Sequence, residues 1–278
     1  MLPEFASINP ETKEEALAYL ACLEDVRVIA GGTDLLVDLK RGGSCSNVVD
    51  VMNVAGLKGL SVAGGDIVIG STVTHAALSR STLLSDAARS LSVACGWIGS
   101  PQIRNMGTIG GNLVNASPAA DSIPPLLVHD AVLSIESKAG GREEALEDFI
   151  VAPYETSLKP GELLTSVHIK GLPGYREGYR RIAKRAAWAI SRLSVAWAVR
   201  EADGRFIDVR LAIGSCTPMP FRPRNVEGFL RGKEKDDSTI GKAVAMVIGE
   251  IRRITGDRPS FVYKLPVVKD LVQKALRD

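Results

Sequence analysis

The sequence predicts an α+β protein in two parts, and three observations carry that expectation. Short runs of β-branched and alternating residues recur between glycine turns through the first part of the chain. Three more runs, 179–182, 193–199 and 206–213, then follow one another, the last two joined at Asp203-Gly204. Two long stretches with helical spacing, at roughly 238–252 and 260–276, come only after them. Strands gathered ahead of helices argue for an antiparallel sheet rather than a doubly wound one. Gly171-Leu172-Pro173-Gly174 is the best boundary, giving domains 1–174 and 175–278.

Taken in order, Asn9-Pro10-Glu11 reads as a cap, a first-turn proline and an early acid ahead of an amphipathic helix over 14–20. Val26 to Ala30 is a strand that runs straight into Gly31-Gly32-Thr33-Asp34, and Val48 to Val51 is another. Leu60-Ser61-Val62 and Ile67-Val68-Ile69 flank Gly64-Gly65-Asp66 as a hairpin. Thr74 caps a short helix containing Ala76, Ala77 and Leu78, and the spacing from Leu83 to Cys95 suggests one further helix. Residues 96–122, rich in Gly, Ser, Asn and Pro, read as a long irregular segment of the kind that carries function. Ala131 to Ile135 and Leu163 to Val167 are strands on either side of a polar stretch around Gly140-Gly141.

Composition removes several function classes. Lysine and arginine total 34 against 32 acidic residues, a net charge of +2 with no global field to gather nucleic acid or an anionic membrane. Charged or turn residues interrupt every apolar stretch before spanning length, and the N-terminus lacks the pattern of a signal peptide. A soluble, cytoplasmic protein is therefore expected. Cys22, Cys45, Cys95 and Cys216 are too scattered for a zinc or iron–sulfur site and read as thiols in a reducing compartment. His75, His129 and His168 stand alone and receive no role, while Trp97 and Trp188 could line an interface or the flavin pocket, with core packing as the default.

The candidate chemistry lies in two glycine turns, each of which, taken singly, is more often a plain turn. Backbone N–H groups can hold a diphosphate where no Cβ blocks approach and positive φ is accessible. Gly31-Gly32-Thr33 and Gly110-Gly111-Asn112 both offer such a cradle, and together they could clamp one pyrophosphate. The GxxxxGK[ST] loop is absent and no GxGxxG opens a helix in a βαβ unit, which disfavours ATP hydrolysis and a Rossmann site.

Ala30-Gly31-Gly32-Thr33-Asp34-Leu35, then Gln102 to Leu113 with Thr108-Ile109-Gly110-Gly111-Asn112, then Ser117-Pro118-Ala119-Ala120-Asp121, resembles the flavoprotein subunits of molybdenum hydroxylases. That family includes the medium subunit of carbon monoxide dehydrogenase and the FAD subunits of xanthine dehydrogenases. Cys216-Thr217-Pro218-Met219-Pro220 and the helical tail extend the resemblance over nearly the whole chain. It implies a two-part FAD-binding domain of the vanillyl-alcohol oxidase type followed by a smaller C-terminal domain with an antiparallel sheet and helices. It also implies a heterotrimeric oxidoreductase. On that resemblance a molybdenum-cofactor large subunit and a [2Fe-2S] small subunit would be the partners, and FAD on this chain would pass electrons to an acceptor such as NAD or a quinone.

Carried over position by position, the resemblance assigns the flavin site to Ala30, Gly31, Gly32, Thr33, Asp34, Leu35, Thr108, Gly110, Gly111, Asn112, Val114 and Asn115. Asp34 would act through its N–H, because a carboxylate repels a diphosphate. Asp121 would accept ribose or ribityl hydroxyls, with a helix N-cap as its plain alternative. Leu163 and Leu164 would pack on the flavin, against a default of core. Arg181 or Lys184 would stabilise reduced flavin, against the alternatives of a solvated strand face or a subunit contact. Where many relatives carry an aspartate soon afterwards, this chain has Ala187-Trp188-Ala189-Ile190. Two other readings stay open: a stand-alone flavin reductase or oxidase of the same fold, and a non-catalytic scaffold subunit.

Overall fold

The structure is a computed structural model that describes residues 2–183 and 190–277. It resolves into two compact units, each discontinuous in sequence. Unit 1 comprises Met1–Leu78, Ile98–Ser117 and Asp130–Gly171; unit 2 comprises Ser79–Trp97, Pro118–His129 and Leu172–Asp278.

The chain opens with β1 (Ala6–Ile8), α1 (Lys13–Cys22), β2 (Val26–Ile29), α2 (Leu35–Lys40) and β3 (Asn47–Asp50). The strands lie in the order β1-β3-β2 with both pairings parallel, so helical crossovers connect them. Thr12, not Asn9, caps α1: its hydroxyl accepts from the Glu15 N–H at 3.2 Å, and Glu15 accepts from the Glu11 N–H at 2.9 Å. A first-turn donor and the N–H just ahead of the cap are thereby satisfied reciprocally. α1 buries Ala16, Leu17 and Leu20 beside Val49, Val51, Val54 and Leu57. Each such leucine contributes about 1.5–3 kcal/mol relative to exposure.

β4 (Leu60–Ala63) and β5 (Asp66–Gly70) form the expected hairpin over Gly64-Gly65. α3 (His75–Arg80), α4 (Thr82–Ala87) and α5 (Arg89–Trp97) follow. The single helix expected from Leu83 to Cys95 is thus two, because Ala88 leaves helical backbone (φ −153°). Nor is 96–122 irregular throughout: it contains α6 (Pro101–Met106), capped by Ser100 with Pro101 in its first turn, and α7 (Ile109–Asn115), capped by Thr108. α8 (Ile123–Val128) precedes β6 (Val132–Ser137), β7 (Gly140–Ala145), α9 (Leu146–Phe149), β8 (Ile150–Ala152), β9 (Glu155–Thr156) and β10 (Leu163–Lys170). The polar stretch around Gly140-Gly141 is therefore itself a strand. A five-stranded sheet in the order β4-β5-β10-β6-β7 forms the second layer of unit 1, with β10 at its centre.

β11 (Arg176–Ala183), β12 (Ser191–Ala202) and β13 (Arg205–Gly214) make the expected antiparallel sheet of unit 2. Asp203 and Gly204 both take positive φ at the last turn (+50° and +69°), matching the twist of its strands. α10 (Arg224–Leu230), α11 (Asp237–Thr255) and α12 (Phe261–Arg277) complete the chain. Val195, Trp197, Leu211 and Ile213 share one core with Val247, Ile251, Val268 and Val272. α10 had no expectation in the sequence. Glu227, buried on it, accepts from the Leu211 N–H at 2.8 Å and pairs with Arg222 at 2.8 Å. Among the described residues no helix is long and apolar enough to cross a membrane.

Candidate functional site

In unit 1, β2 delivers the first glycine turn and α2 leaves it. Gly31 is there for close approach: a Cβ on it would overlap the Met106 carbonyl and come 3.0 Å from the Gly107 nitrogen. Gly32 is there for conformation, at φ +67°. Among the described residues, no acceptor faces the N–H groups of Gly32, Thr33, Asp34 or Leu35, and Asp34 makes no side-chain cap. A run of open donors at a helix start has the chemistry to hold an anion.

The second turn differs. Ile109 N–H donates to Val73 O at 2.9 Å, Gly110 N–H to Ser71 O at 2.8 Å, Asn112 N–H to Thr108 O at 3.0 Å and Gly111 N–H to Thr108 Oγ1 at 3.1 Å. Every backbone N–H from 109 to 112 is spent within the protein. The expectation that Gly110-Gly111-Asn112 offers the same N–H cradle as the first turn is corrected on this point. Gly110 is a packing glycine, since a Cβ would stand 2.7 Å from the Ser71 oxygen. At Gly111 a Cβ would meet only Thr108 Oγ1, at 3.0 Å, so this glycine presents the open face of the turn. The two turns touch through Gly31 and Met106, and Thr33 Oγ1 lies 3.5 Å from the point where a Gly107 Cβ would be.

The remaining unit 1 positions are less exposed to a ligand than the sequence suggests. Ala30 packs half-buried against the α1 core and Leu35 against Leu39, Cys45 and Val48. Leu163 lies in the α1 core, and Leu164 is buried. The turn before them is held by Arg142, whose Nε and Nη2 each donate at 2.9 Å to the two oxygens of Glu162, keeping that carboxyl below the ordinary carboxylate range. Val114 is partly exposed on α7, and Asn115 ends the helix before Ala116 turns left-handed.

Unit 2 gathers a second set of predicted residues. Asp121 Oδ1 accepts from the Tyr179 and Ser191 hydroxyls, and its Oδ2 pairs with Arg181 Nη1, each at 2.5 Å. Tyr179 and Arg181 share a face because they are two apart on β11. All four side chains are buried, which rules out the solvated-face reading of Arg181. Asp121 is not the N-cap of α8; Ser122 holds that position. Arg181 lies over the Trp97 ring, 5.5 Å from its centroid, and Trp97 is 48% exposed rather than core. Burial and then the Asp121 charge hold the Tyr179 phenol far above its usual range, so it is a fixed donor. Lys184 and Ala187-Trp188-Ala189 lie outside the described residues.

Sequence reasoning did not single out Tyr179 or Ser191 as partners of Asp121. The alternation Tyr179-Arg180-Arg181 was the available signal for Tyr179, since its two outer members had to face one way.

Two family models divide the chain between them. Residues 3–169 match the FAD binding domain in molybdopterin dehydrogenase, and residues 178–278 match the CO dehydrogenase flavoprotein C-terminal domain. The glyceraldehyde dehydrogenase medium chain of Sulfolobus acidocaldarius is 31% identical, covering 99% of this chain and 98% of its own. The xanthine dehydrogenase FAD-binding subunit of Escherichia coli O157:H7 is 30% identical over 99% of this chain and 96% of its own. Among solved structures, carbon monoxide dehydrogenase from Hydrogenophaga pseudoflava superimposes with a TM-score of 0.92 at 25% identity, covering 99% of this chain and 97% of that one. An FAD-binding domain joined to this C-terminal domain defines a class of oxidoreductase flavoproteins. The chain belongs to that class as a member of the FAD-binding subunit family of molybdenum hydroxylases.

Proposed function

We propose that this chain carries FAD within a multi-subunit molybdenum hydroxylase, taking electrons from the [2Fe-2S] clusters of a small partner subunit. A large partner with the molybdenum cofactor oxidises the substrate, and an external acceptor such as NAD or a quinone receives the electrons. Relatives named as medium chains and FAD-binding subunits support this placement. The observation that carries the cofactor's part is the row of open N–H groups from Gly32 to Leu35, a donor set that fits a diphosphate. When bound, a flavin supplies the redox chemistry that links one-electron carriers to two-electron acceptors.

The chain's own residues would hold it. Gly32, Thr33, Asp34 and Leu35 would donate to the diphosphate through their open N–H groups, while Gly31 and Gly110 seat the two turns. Thr108 and Asn112 hold the second turn as a floor, with Gly111 as its open face and Val114 and Asn115 following on α7. Within unit 2, Asp121 is the anchor of Arg181 and Tyr179 rather than a free hydroxyl acceptor; within unit 1, Leu163 and Leu164 are buried.

Purification with co-expressed partners tests the reading. The expected result is a complex containing a molybdenum subunit and an iron–sulfur subunit, with flavin absorbance near about 450 nm. A chain that takes up no FAD at micromolar concentration, alone or in complex, would sink it.

A further inference from the structure

Helix α6 is held in unit 1 without burying a side chain: all six residues from Pro101 to Met106 are exposed or half-buried. A free helix of that length would melt in water, so its caps and neighbours must hold it. The Ser100 hydroxyl accepts from the Ile103 N–H at 3.3 Å, and the Gly107 N–H returns to Ile103 O at 2.6 Å. Arg104 Nη1 donates to the carbonyls of Ile98 and Gly99 at 2.9 and 3.0 Å. The helix also lines the seam between the two turns. The Met106 carbonyl lies against Gly31, and the Gly107 carbonyl accepts from the His75 N–H at 3.0 Å.

Its apolar side chains are left facing outward. Ile103 and Met106 are three apart, hence on one face, and are 39% and 50% exposed. The charge pattern is not that of a solvated helix. Elsewhere in unit 1, α2 carries Asp38 and Lys40, and α9 carries Glu147 and Asp148. Residues 98–117 hold one basic residue, Arg104, and no acidic one. Methionine and arginine present, with lysine, aspartate and glutamate absent, is the composition found at the core of protein–protein interfaces. The single positive charge, with no carboxylate to offset it, complements a partner surface that is neutral or acidic and disfavours a basic one.

We propose that the Ile103–Met106 face of α6 is the docking surface for the partner subunit that carries the [2Fe-2S] clusters. The inference rests on the FAD reading above. Electron tunnelling falls off steeply with distance, so the electron donor must seat beside the flavin-binding turns, and α6 is an apolar, exposed element that adjoins both of them.

The co-expressed complex tests this directly. A photo-crosslinking residue, p-benzoylphenylalanine, replaces Gln102, which is exposed and one turn before Met106. Irradiation is expected to join this chain to the small iron–sulfur subunit. An intact complex that crosslinks only to the large subunit, or not at all, would overturn the inference and leave the FAD reading standing. Failure of the unmodified chain to recruit any iron–sulfur subunit would remove both. In parallel, Ile103→Glu places a carboxylate in the face. It should keep FAD absorbance per chain while lowering affinity for the purified small subunit at least about tenfold. Unchanged affinity would overturn the assignment. So would loss of FAD with the small subunit still bound, which would give the face to the cofactor instead. Should Ile103→Glu not fold, the crosslink decides.

Discussion

The two glycine turns look alike in sequence and do opposite things with their backbone donors. After Gly31-Gly32 the N–H groups of residues 32 to 35 face no acceptor among the described residues, whereas from 109 to 112 each N–H is bonded within the protein. The difference comes from what stands at each helix start. Thr108 turns its hydroxyl back onto Gly111, but Asp34 makes no such cap, and a carboxylate turned back there would compete with an incoming anion. Paired glycines therefore mark where backbone must come close, and the capping residue decides whether donors remain for a ligand.

The sharpest way to break this comparison is to add a side chain to each turn. Gly31→Val would drive its Cβ into the Met106 carbonyl, and should cost about 3 kcal/mol or more in unfolding free energy and release FAD. Gly111→Val has only the Thr108 hydroxyl to displace. It should leave urea unfolding within about 1 kcal/mol while weakening FAD binding at least about tenfold. Equal destabilisation by the two variants would mean that both turns are merely packed structure.

A somewhat smaller effect belongs to the seam between the turns. The folded chain holds the His75 pKa at about 4, below the value of about 6.5 expected once unfolded. Between those values the unfolded state binds a proton that the folded state refuses. The neutral ring's contribution is therefore intact above pH 6.5 and is lost as pH falls toward 4, by at most about 3 kcal/mol. Unfolding curves of the unmodified chain and His75→Phe across that window should diverge in slope, the variant losing less stability on acidification. Parallel slopes would mean that the ring is not held neutral.

Much of this was legible beforehand because it is local. The strand before Gly31, the hairpin at Gly64-Gly65, the turn at Asp203-Gly204 and the two long helices follow from runs of neighbouring residues. The helices α6 and α7 were also local signals, Ser100-Pro101 and Thr108, overlooked amid a glycine-rich composition. What composition and spacing could not carry is contact at long range. Gly31 needs to be glycine because of Met106, and Asp121 is committed because Tyr179, Arg181 and Ser191 return to it. The same holds for Trp97, which reads as a core residue until Arg181 is seen stacked on its half-exposed ring.

The smallest effect discriminates best between the turns. Thr108→Ala removes the hydroxyl that caps α7 and should cost about 1 kcal/mol in thermal unfolding. It also exposes the Gly111 N–H, so a ligand that relied on that donor would gain from the change, and one that competed with the cap in the unmodified chain would bind more tightly. If the first turn supplies the donors, FAD affinity should instead stay within about threefold, a shift of under about 0.7 kcal/mol. Thr108→Ser keeps the capping oxygen and should match the unmodified chain in both measurements. A large change in affinity at unchanged stability, in either direction, would return the second turn to the role of an N–H cradle and erase the distinction.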